Sequence, residues 1–118
     1  MVTELAKEYS FSDERGSLLQ LFHNESFQIN VLKSKKGVIR GNHFHEKTTE
    51  YFYVLSGSVE ISYENGKDFG KQTFESGSLF RVDPMTSHSL FFLDDCEMIA
   101  FYDKPIEDEL GQKDIFRK

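Results

Sequence analysis

Residues 37–57 read GVIRGNHFHEKTTEYFYVLSG and place two histidines and a glutamate among residues that favour β-strands. His43 and His45 are separated by one residue. Because side chains alternate across a strand, residues two apart project from one face, roughly 6.5–7 Å apart, which suits two imidazoles that bind one cation. Glu46-Lys47-Thr48-Thr49 is typical of a turn, after which a returning antiparallel strand can bring Glu50 beside the histidine pair.

A third histidine can join this group from a later part of the chain. His88 follows the segment Asp83–Ser87, whose proline fits a loop better than a central strand. Three imidazoles and one carboxylate suit one divalent transition metal, namely Zn, Ni, Mn, Fe or Co, and leave positions open for water or substrate. The spacing does not choose among these metals.

The rest of the chain predicts an all-β fold. Short runs rich in Phe, Tyr, Val and Ile recur between turn signals, as in a sandwich or barrel of short strands. Asn65-Gly66 is expected to form a two-residue hairpin turn, because both residues tolerate a positive φ. The predicted strands are Leu18–Phe22, Phe27–Leu32, Gly37–His43, Glu50–Ser56, Ser58–Tyr63, Lys71–Phe74, Ser78–Val82, Ser89–Leu93 and Glu97–Tyr102.

Composition excludes several classes of protein. The 118 residues suit a single domain, and 38% hydrophobic residues are too many for a disordered chain. A net charge of −6 disfavours nucleic acid and anionic membranes as partners. The chain lacks an apolar run of about 18 residues and an apolar leader, so we expect a cytoplasmic protein. Cys96 lies among apolar residues and is expected to be a buried thiol.

These motifs resemble those of the cupins, which are double-stranded β-helix (jelly-roll) proteins. Their first motif, G-x5-H-x-H-x3–4-E-x6-G, is matched without a gap by Gly37, His43, His45, Glu50 and Gly57. The second motif is matched in part. Its first glycine and its histidine are Gly77 and His88, whereas Asp83, Met85 and Phe92 replace the Pro, Gly and Asn of the pattern. The resemblance implies that the metal ligands are His43, His45, Glu50 and His88.

The resemblance also divides the chain of residues 1–118 into three parts. The barrel is expected at about residues 28–102, preceded by an N-terminal strand extension, 1–27, and followed by a tail, 103–118. We expect the tail to form a short surface helix or an extension with no role in the site. His23 is interpreted as an exposed loop histidine outside the site.

A narrower resemblance, to the nucleotide-sugar branch of the cupins, lies upstream. It is carried by the segments Phe11–Leu18, Phe27–Asn30 and Gly37–His43. This branch includes dTDP-4-dehydrorhamnose 3,5-epimerases, dTDP-sugar 3,4-ketoisomerases and the cupin domain of bifunctional capsular-polysaccharide enzymes. The resemblance implies that Arg15 and Arg40 bind the nucleotide diphosphate and substrate. It also implies that His43 is a general base and that two chains form a homodimer.

Two departures bear on the mechanism. His45 and Glu50 stand where the rhamnose epimerases have Gln and Lys, and both changes restore a metal site. A metal-bound His43 is not a free base, so other titratable groups on the barrel strands become candidates. With His43, we take Tyr53 and Tyr102 as the candidate catalytic residues.

The leading hypothesis is therefore a metal-binding cupin that isomerises or epimerises a nucleotide-linked keto sugar in cell-surface polysaccharide biosynthesis. One alternative is a metal-dependent dioxygenase or decarboxylase of a small molecule. Another is a non-catalytic cupin module that binds a sugar or a metal.

Overall fold

Residues 1–117 fold into strands whose neighbours in each sheet all pair in antiparallel fashion. A computed structural model describes residues 1–117. The strands are β1 (Tyr9–Asp13), β2 (Gly16–His23), β3 (Gln28–Ser34), β4 (Ile39–Phe44), β5 (Glu50–Ser56), β6 (Ser58–Asn65), β7 (Asp68–Glu75), β8 (Leu79–Val82), β9 (Ser87–Phe92), β10 (Cys96–Tyr102) and β11 (Phe116–Arg117).

Two sheets enclose the core. One has six strands in the order β1-β2-β3-β10-β5-β8, and the other has five in the order β11-β4-β9-β6-β7. From β3 to β10 the chain passes repeatedly from one sheet to the other, which is the winding of a jelly roll. The predicted all-β jelly roll is confirmed. Residues 1–117 contain no helix, and hence none long and apolar enough to cross a membrane.

Alternation of side chains builds the core from the inner faces of both sheets. In β5, Phe52 and Val54 are buried and lie opposite Ala100 and Met98 of β10. Burial of this apolar surface stabilises the fold by about 25 cal/mol per Å². The other buried apolar residues are Leu32, Val59, Ile61, Val82, Leu90, Phe92, Cys96 and Tyr102.

At one end of the six-stranded sheet the inward positions become polar. Gln28 of β3 lies opposite Tyr102 of β10, and Tyr102 lies opposite Glu50 of β5. All three residues are buried. The apolar core therefore ends in a polar layer, and this layer forms the base of the candidate site.

The sequence predicted the strands of the barrel and missed those at both ends of the chain. Every predicted strand overlaps an observed one, and β5 has the predicted bounds. The short strand β11 was missed because it pairs with the distant β4 rather than with a sequence neighbour. Of the two forms expected for the tail, a short helix or an extension, the structure has the extension: residues 103–117 form turns, a bridge between Glu107 and Lys113, and β11.

The predicted hairpin between β6 and β7 exists with different turn residues. Asn65 pairs with Asp68, so the two connecting residues are Gly66 and Lys67. Gly66 has a φ of +62°, whereas Asn65 does not have a positive φ. Glycine thus occupies the first central position of the turn.

Two glycines of the first motif allow a matched test of packing. Gly37 and Gly57 have φ values of +86° and +82°, so alanine is strained by about 1–2 kcal/mol at either position. A Cβ at Gly57 would lie 2.1 Å from the carbonyl oxygen of Asp95, whereas a Cβ at Gly37 meets nothing within 4 Å. Gly57→Ala should therefore destabilise the protein more than Gly37→Ala does, by at least about 2 kcal/mol in urea unfolding. Equal losses would contradict this close approach.

Candidate metal centre

Four side chains with metal-binding donor atoms converge at the polar end of the barrel. One donor atom from each of His43, His45, Glu50 and His88 lies within 4.8 Å of the other three. Glu50 Oε1 is 3.3 Å from Nε2 of His45 and 3.3 Å from Nε2 of His88. The ring centroid of His43 is 4.9 Å from that of His45 and 4.8 Å from that of His88. This is the convergence that the sequence spacing predicts.

A β-bulge in β4 turns His43 into the barrel. The pairing of β4 with β9 shifts between Gly41 and His43, which leaves Asn42 as the extra residue. Gly41 and Asn42 have φ values of +87° and +62°, a left-handed conformation that these residue types tolerate. His43 consequently lies opposite His88. The bulge also allows Arg40, three residues earlier, to be buried within the barrel as well.

Two main-chain carbonyls orient two of the imidazoles. Nδ1 of His45 is 2.6 Å from the carbonyl oxygen of Asp114, and Nδ1 of His88 is 3.0 Å from that of Thr86. A carbonyl accepts but does not donate, so each Nδ1 carries a proton and, in the neutral ring, each Nε2 carries a lone pair. Both Nε2 atoms face the carboxylate of Glu50.

This donor set fits a cation. With both rings neutral, no proton lies between the two Nε2 atoms and Glu50 Oε1, and their lone pairs repel one another unless a cation accepts them. His43 adds a third imidazole to the same cluster. The cluster can therefore hold a divalent transition metal through three nitrogens and one carboxylate.

The charges of the cluster at neutral pH also favour a cation. Burial raises the pKa of Glu50. In the metal-free protein, when Nε2 of His45 and of His88 is protonated, the hydrogen bonds and positive charges of these rings outweigh burial and lower that pKa to about 2. Burial and the neighbouring His88 and His45 lower the pKa of His43 to about 4. Glu50 is thus ionised and His43 is neutral at pH 7, which are the forms that bind metals. Burial lowers the pKa of His45, but its hydrogen bond with Glu50 outweighs burial and raises that pKa, so a bound metal replaces a proton at this ring.

Tyr102 lies beside the cluster with its hydroxyl group between two polar partners. Burial and the charge of Glu50 raise the pKa of Tyr102 well above its usual value. The hydroxyl group forms hydrogen bonds with Glu50 and with Asn30. Its ring meets the ring of His45 edge-on at a centroid distance of 6.2 Å. Tyr102 is therefore a neutral hydroxyl group held next to the carboxylate of the cluster.

A cavity of about 620 Å³ reaches the cluster from the side of His43 and His45. Tyr102 lines it next to the cluster, and strands β1 to β3 and the tail supply the remaining walls. The wall formed by β3 is polar, and the wall formed by the tail has both charged and apolar side chains. The remaining lining residues are Tyr9, Leu18, Gln20, His23, Gln28, Asn30, Ile106, Glu107, Lys113 and Ile115.

Tyr53, a predicted catalytic residue, lies outside this site. It is three residues after Glu50 on an uninterrupted strand, so the two side chains project from opposite faces. Its neighbours Phe52 and Val54 are buried, whereas Tyr53 is 40% exposed. Assigning Tyr53 to the site was wrong because it overlooked this alternation.

The two arginines predicted to bind substrate also lie away from the cavity. Arg15 is in the turn between β1 and β2 and pairs with Asp13 at 2.7 Å. Arg40 is buried and donates from Nε to Ser34 Oγ at 2.7 Å and from Nη2 to main-chain carbonyls of β2 and β3. Ser34 ends β3 six residues after Gln28, roughly 20 Å along the strand from the polar end of the barrel. The structure assigns Arg40 to packing between the sheets.

Two parts of the cavity wall were not predicted as site residues. His23 lines the cavity, and its Nδ1 lies 2.7 Å from Oε1 of Glu8. The tail was expected to have no role in the site, yet four of its residues line the same cavity. Buried polar side chains at alternate positions, Gln28 and Asn30, are a signal that could have identified the β3 wall. No comparable local pattern marks the tail.

Glu50→Gln should lower the affinity for a divalent transition metal by at least about 100-fold, because it removes the anionic donor. Mass-spectrometric metal analysis and chelator competition measure this effect. His23→Gln is the matched control, because His23 lines the cavity without joining the cluster. A full metal content in Glu50→Gln would contradict the assignment of Glu50 as a metal ligand.

Arg40→Met should destabilise the fold by about 1–3 kcal/mol, because buried acceptors lose a charged donor. Metal affinity should stay unchanged. Arg15→Met, which removes a partly exposed ion pair, should cost less than about 1 kcal/mol. Urea unfolding and metal titration measure both quantities. Loss of metal from Arg40→Met without loss of stability would argue against a packing role.

Comparison with known proteins agrees with this architecture. The model of a family described as the polysaccharide biosynthesis C-terminal domain matches residues 11–103. UDP-2-acetamido-2,6-beta-L-arabino-hexul-4-ose reductase of Pseudomonas aeruginosa is 33% identical over 55 residues. This match covers 46% of the present chain and 15% of the reductase, so the chain corresponds to a small part of that protein.

Solved structures show the same fold. Capsular polysaccharide assembling protein CapF from Staphylococcus aureus superposes with a TM-score of 0.75 at 23% identity, over 92% of this chain and 33% of CapF. A variant of oxalate decarboxylase from Bacillus subtilis gives a TM-score of 0.75 at 20% identity, over 98% of this chain and 34% of the decarboxylase. KdgF from Halomonas sp. gives 0.63 at 21% identity, over 75% and 81% of the two chains. Because the family model spans most of the sequence, the chain belongs to the polysaccharide biosynthesis C-terminal domain family, with a cupin fold.

Proposed function

We propose that the protein uses a divalent transition metal to isomerise or epimerise a nucleotide-linked keto sugar in cell-surface polysaccharide biosynthesis. The observation that carries the proposal is the cluster of three histidines and Glu50 at the end of a cavity of about 620 Å³. A volume of this size is within the usual range for small-molecule sites, about 300–1,000 Å³.

The relatives support the class of substrate. The family description refers to polysaccharide biosynthesis, and CapF is described as a capsular polysaccharide assembling protein. The name of the Pseudomonas aeruginosa relative specifies a UDP-linked keto sugar. We do not transfer its reductase activity, because the match covers 15% of that protein.

The cavity wall suits a polyhydroxylated ligand. Nε2 of Gln28 donates to Oε1 of Gln20 and to Oδ1 of Asn30, each at 3.2 Å. This row of amides offers both donors and acceptors to sugar hydroxyl groups. Lys113 lines the same cavity and offers a positive charge for the diphosphate.

Isomerisation and epimerisation next to a ketone both begin with removal of a C–H proton. A bound divalent metal would supply Lewis acidity that polarises the carbonyl group. The single hydroxyl proton of Tyr102 can turn from Glu50 to a substrate oxygen that gains negative charge, once Glu50 binds the cation. The four cluster residues hold the cation, so the proton acceptor comes from another part of the cavity wall.

His23 is the imidazole on the cavity wall outside the cluster. Its Nδ1 is 2.7 Å from the carboxylate of Glu8, which holds the ring with Nε2 available to accept a proton. Gln20 also donates to the same carboxylate oxygen, at 3.0 Å. We therefore propose His23 as the general base, in place of His43.

Deuterium exchange tests the reaction directly. The metal-loaded protein should catalyse exchange at the carbon next to the keto group of a UDP-linked 4-keto sugar in D₂O, as followed by proton NMR. Tyr102→Phe should slow the exchange by about 100-fold. Tyr53→Phe is the matched control and should exchange at the wild-type rate, because Tyr53 lies on the outer face.

The outcomes separate the competing functions. Tight binding of the sugar without exchange would contradict an enzyme and favour a sugar-binding module. No binding of nucleotide sugars, with oxygen uptake or CO₂ release from a small acid, would favour a dioxygenase or decarboxylase. Exchange that persists after full metal removal would contradict the proposed role of the metal.

A further inference from the structure

The tail, residues 103–117, holds the connection between two of the candidate ligands. This connection, residues 46–49, joins His45 to the strand that carries Glu50. The carboxylate of Asp114 accepts hydrogen bonds from three successive backbone N–H groups of the connection, at distances of 2.7, 3.0 and 3.0 Å. It also accepts the hydroxyl group of Thr48 at 2.7 Å. A single carboxylate thus satisfies four donors and fixes the shape of the connection.

The same residue also contacts a candidate ligand. The main-chain oxygen of Asp114 accepts the Nδ1 proton of His45 at 2.6 Å. Rotation of the His45 ring is restricted by this bond, and the tautomer is set so that Nε2 faces Glu50. Asp114 therefore controls the ring orientation of His45 with its carbonyl group and the position of the following turn with its side chain.

Asp114 is itself held in place from both sides. Its backbone N–H donates to the carbonyl oxygen of Ile106 at 2.9 Å. Two residues later, β11 pairs with β4, and the ring of Phe116 stacks on that of Phe44 at a centroid distance of 5.5 Å. Phe44 lies between His43 and His45 in sequence. The tail thus binds to the strand that carries one ligand and to the connection that joins two others.

We propose that Asp114 is a positioning residue of the metal centre, through which the tail orients His45 and sets its separation from Glu50. The inference rests on the proposed metal site. Asp114 is 69 residues from His45 in sequence. Loss of its side chain should release the turn, move its carbonyl group away from Nδ1 and weaken metal binding.

Asp114→Asn tests this role with little change in size. The asparagine side chain keeps one acceptor oxygen. Its NH₂ group replaces Oδ2, which in the wild type accepts hydrogen bonds from the N–H groups of Lys47 and Thr48 and from the Thr48 hydroxyl group. We expect the affinity for Co²⁺ to fall by about tenfold or more, with a larger fall in Asp114→Ala. The visible absorption spectrum of bound Co²⁺ should also change, because it reports ligand geometry.

Asp108→Asn is the matched control. Asp108 lies in the same tail and its carboxylate accepts backbone N–H groups of Leu110 and Gln112, both at 2.9 Å, without contacting a ligand. Asp108→Asn should keep the wild-type Co²⁺ affinity and spectrum.

Imidazole ¹⁵N NMR of the metal-free protein gives a second measurement. In the neutral form of the His45 ring, the Nδ1–H tautomer should dominate in the wild type and in Asp108→Asn, and it should be less populated in Asp114→Asn.

Each outcome decides the proposal. Selective loss of affinity and of the tautomer in Asp114→Asn supports it. Wild-type Co²⁺ affinity and spectrum in Asp114→Asn would overturn it. Equal losses of Co²⁺ affinity in Asp108→Asn and Asp114→Asn would also overturn it, because they would indicate a general effect on the stability of the tail. If Asp114→Ala does not fold, Asp114→Asn alone decides. If the wild type does not bind Co²⁺, the metal site is wrong and this inference is wrong with it. If the wild type binds Co²⁺ and the Asp114 variants bind it with the same affinity, this inference alone is wrong.

Discussion

A negative charge buried at the end of a β-barrel is the constraint on which the site depends. Glu50 is 3% exposed and ionised at neutral pH. An isolated carboxylate in such a place is strongly destabilising, so it requires hydrogen-bond donors or a cation around it. His45, His88 and Tyr102 surround it and come from three different parts of the chain. The need to compensate this single charge thus explains why polar side chains converge there.

The sheet register supplies these partners without disturbing the core. Tyr102 lies opposite Glu50, and one inward step along the same two strands Ala100 lies opposite Phe52. A polar layer and an apolar layer are therefore separated by two residues along each strand. The apolar layer stabilises the barrel, and the rigid backbone beneath holds the polar layer in position for chemistry.

The tail contributes both cavity wall and hydrogen bonds to the candidate site. It forms part of the cavity wall and contacts the strand that carries His43. Its residue Asp114 forms hydrogen bonds with His45 and with the turn that follows. In this way an irregular segment contacts both one residue of the candidate site and the turn that leads to another. The same segment brings Lys113 to the cavity, where the proposed substrate carries its negative charge.

The sequence by itself determined the strands of the barrel, the spacing of the histidine pair and the return of Glu50 after a turn. Those features depend on alternation along a strand and on turn chemistry, which are local properties. Alternation alone could also have excluded Tyr53, since Glu50 and Tyr53 are three residues apart on one strand. It could not have located Arg40, because the bulge at Asn42 changes the alternation between Arg40 and His43.

Only the tertiary structure decided that His23 and the tail belong to the cavity and that Asp114 bonds to His45. No local pattern encodes a contact between residues 69 positions apart. Such a contact exists because β11 pairs with β4, and this pairing is a property of the folded sheets rather than of either segment.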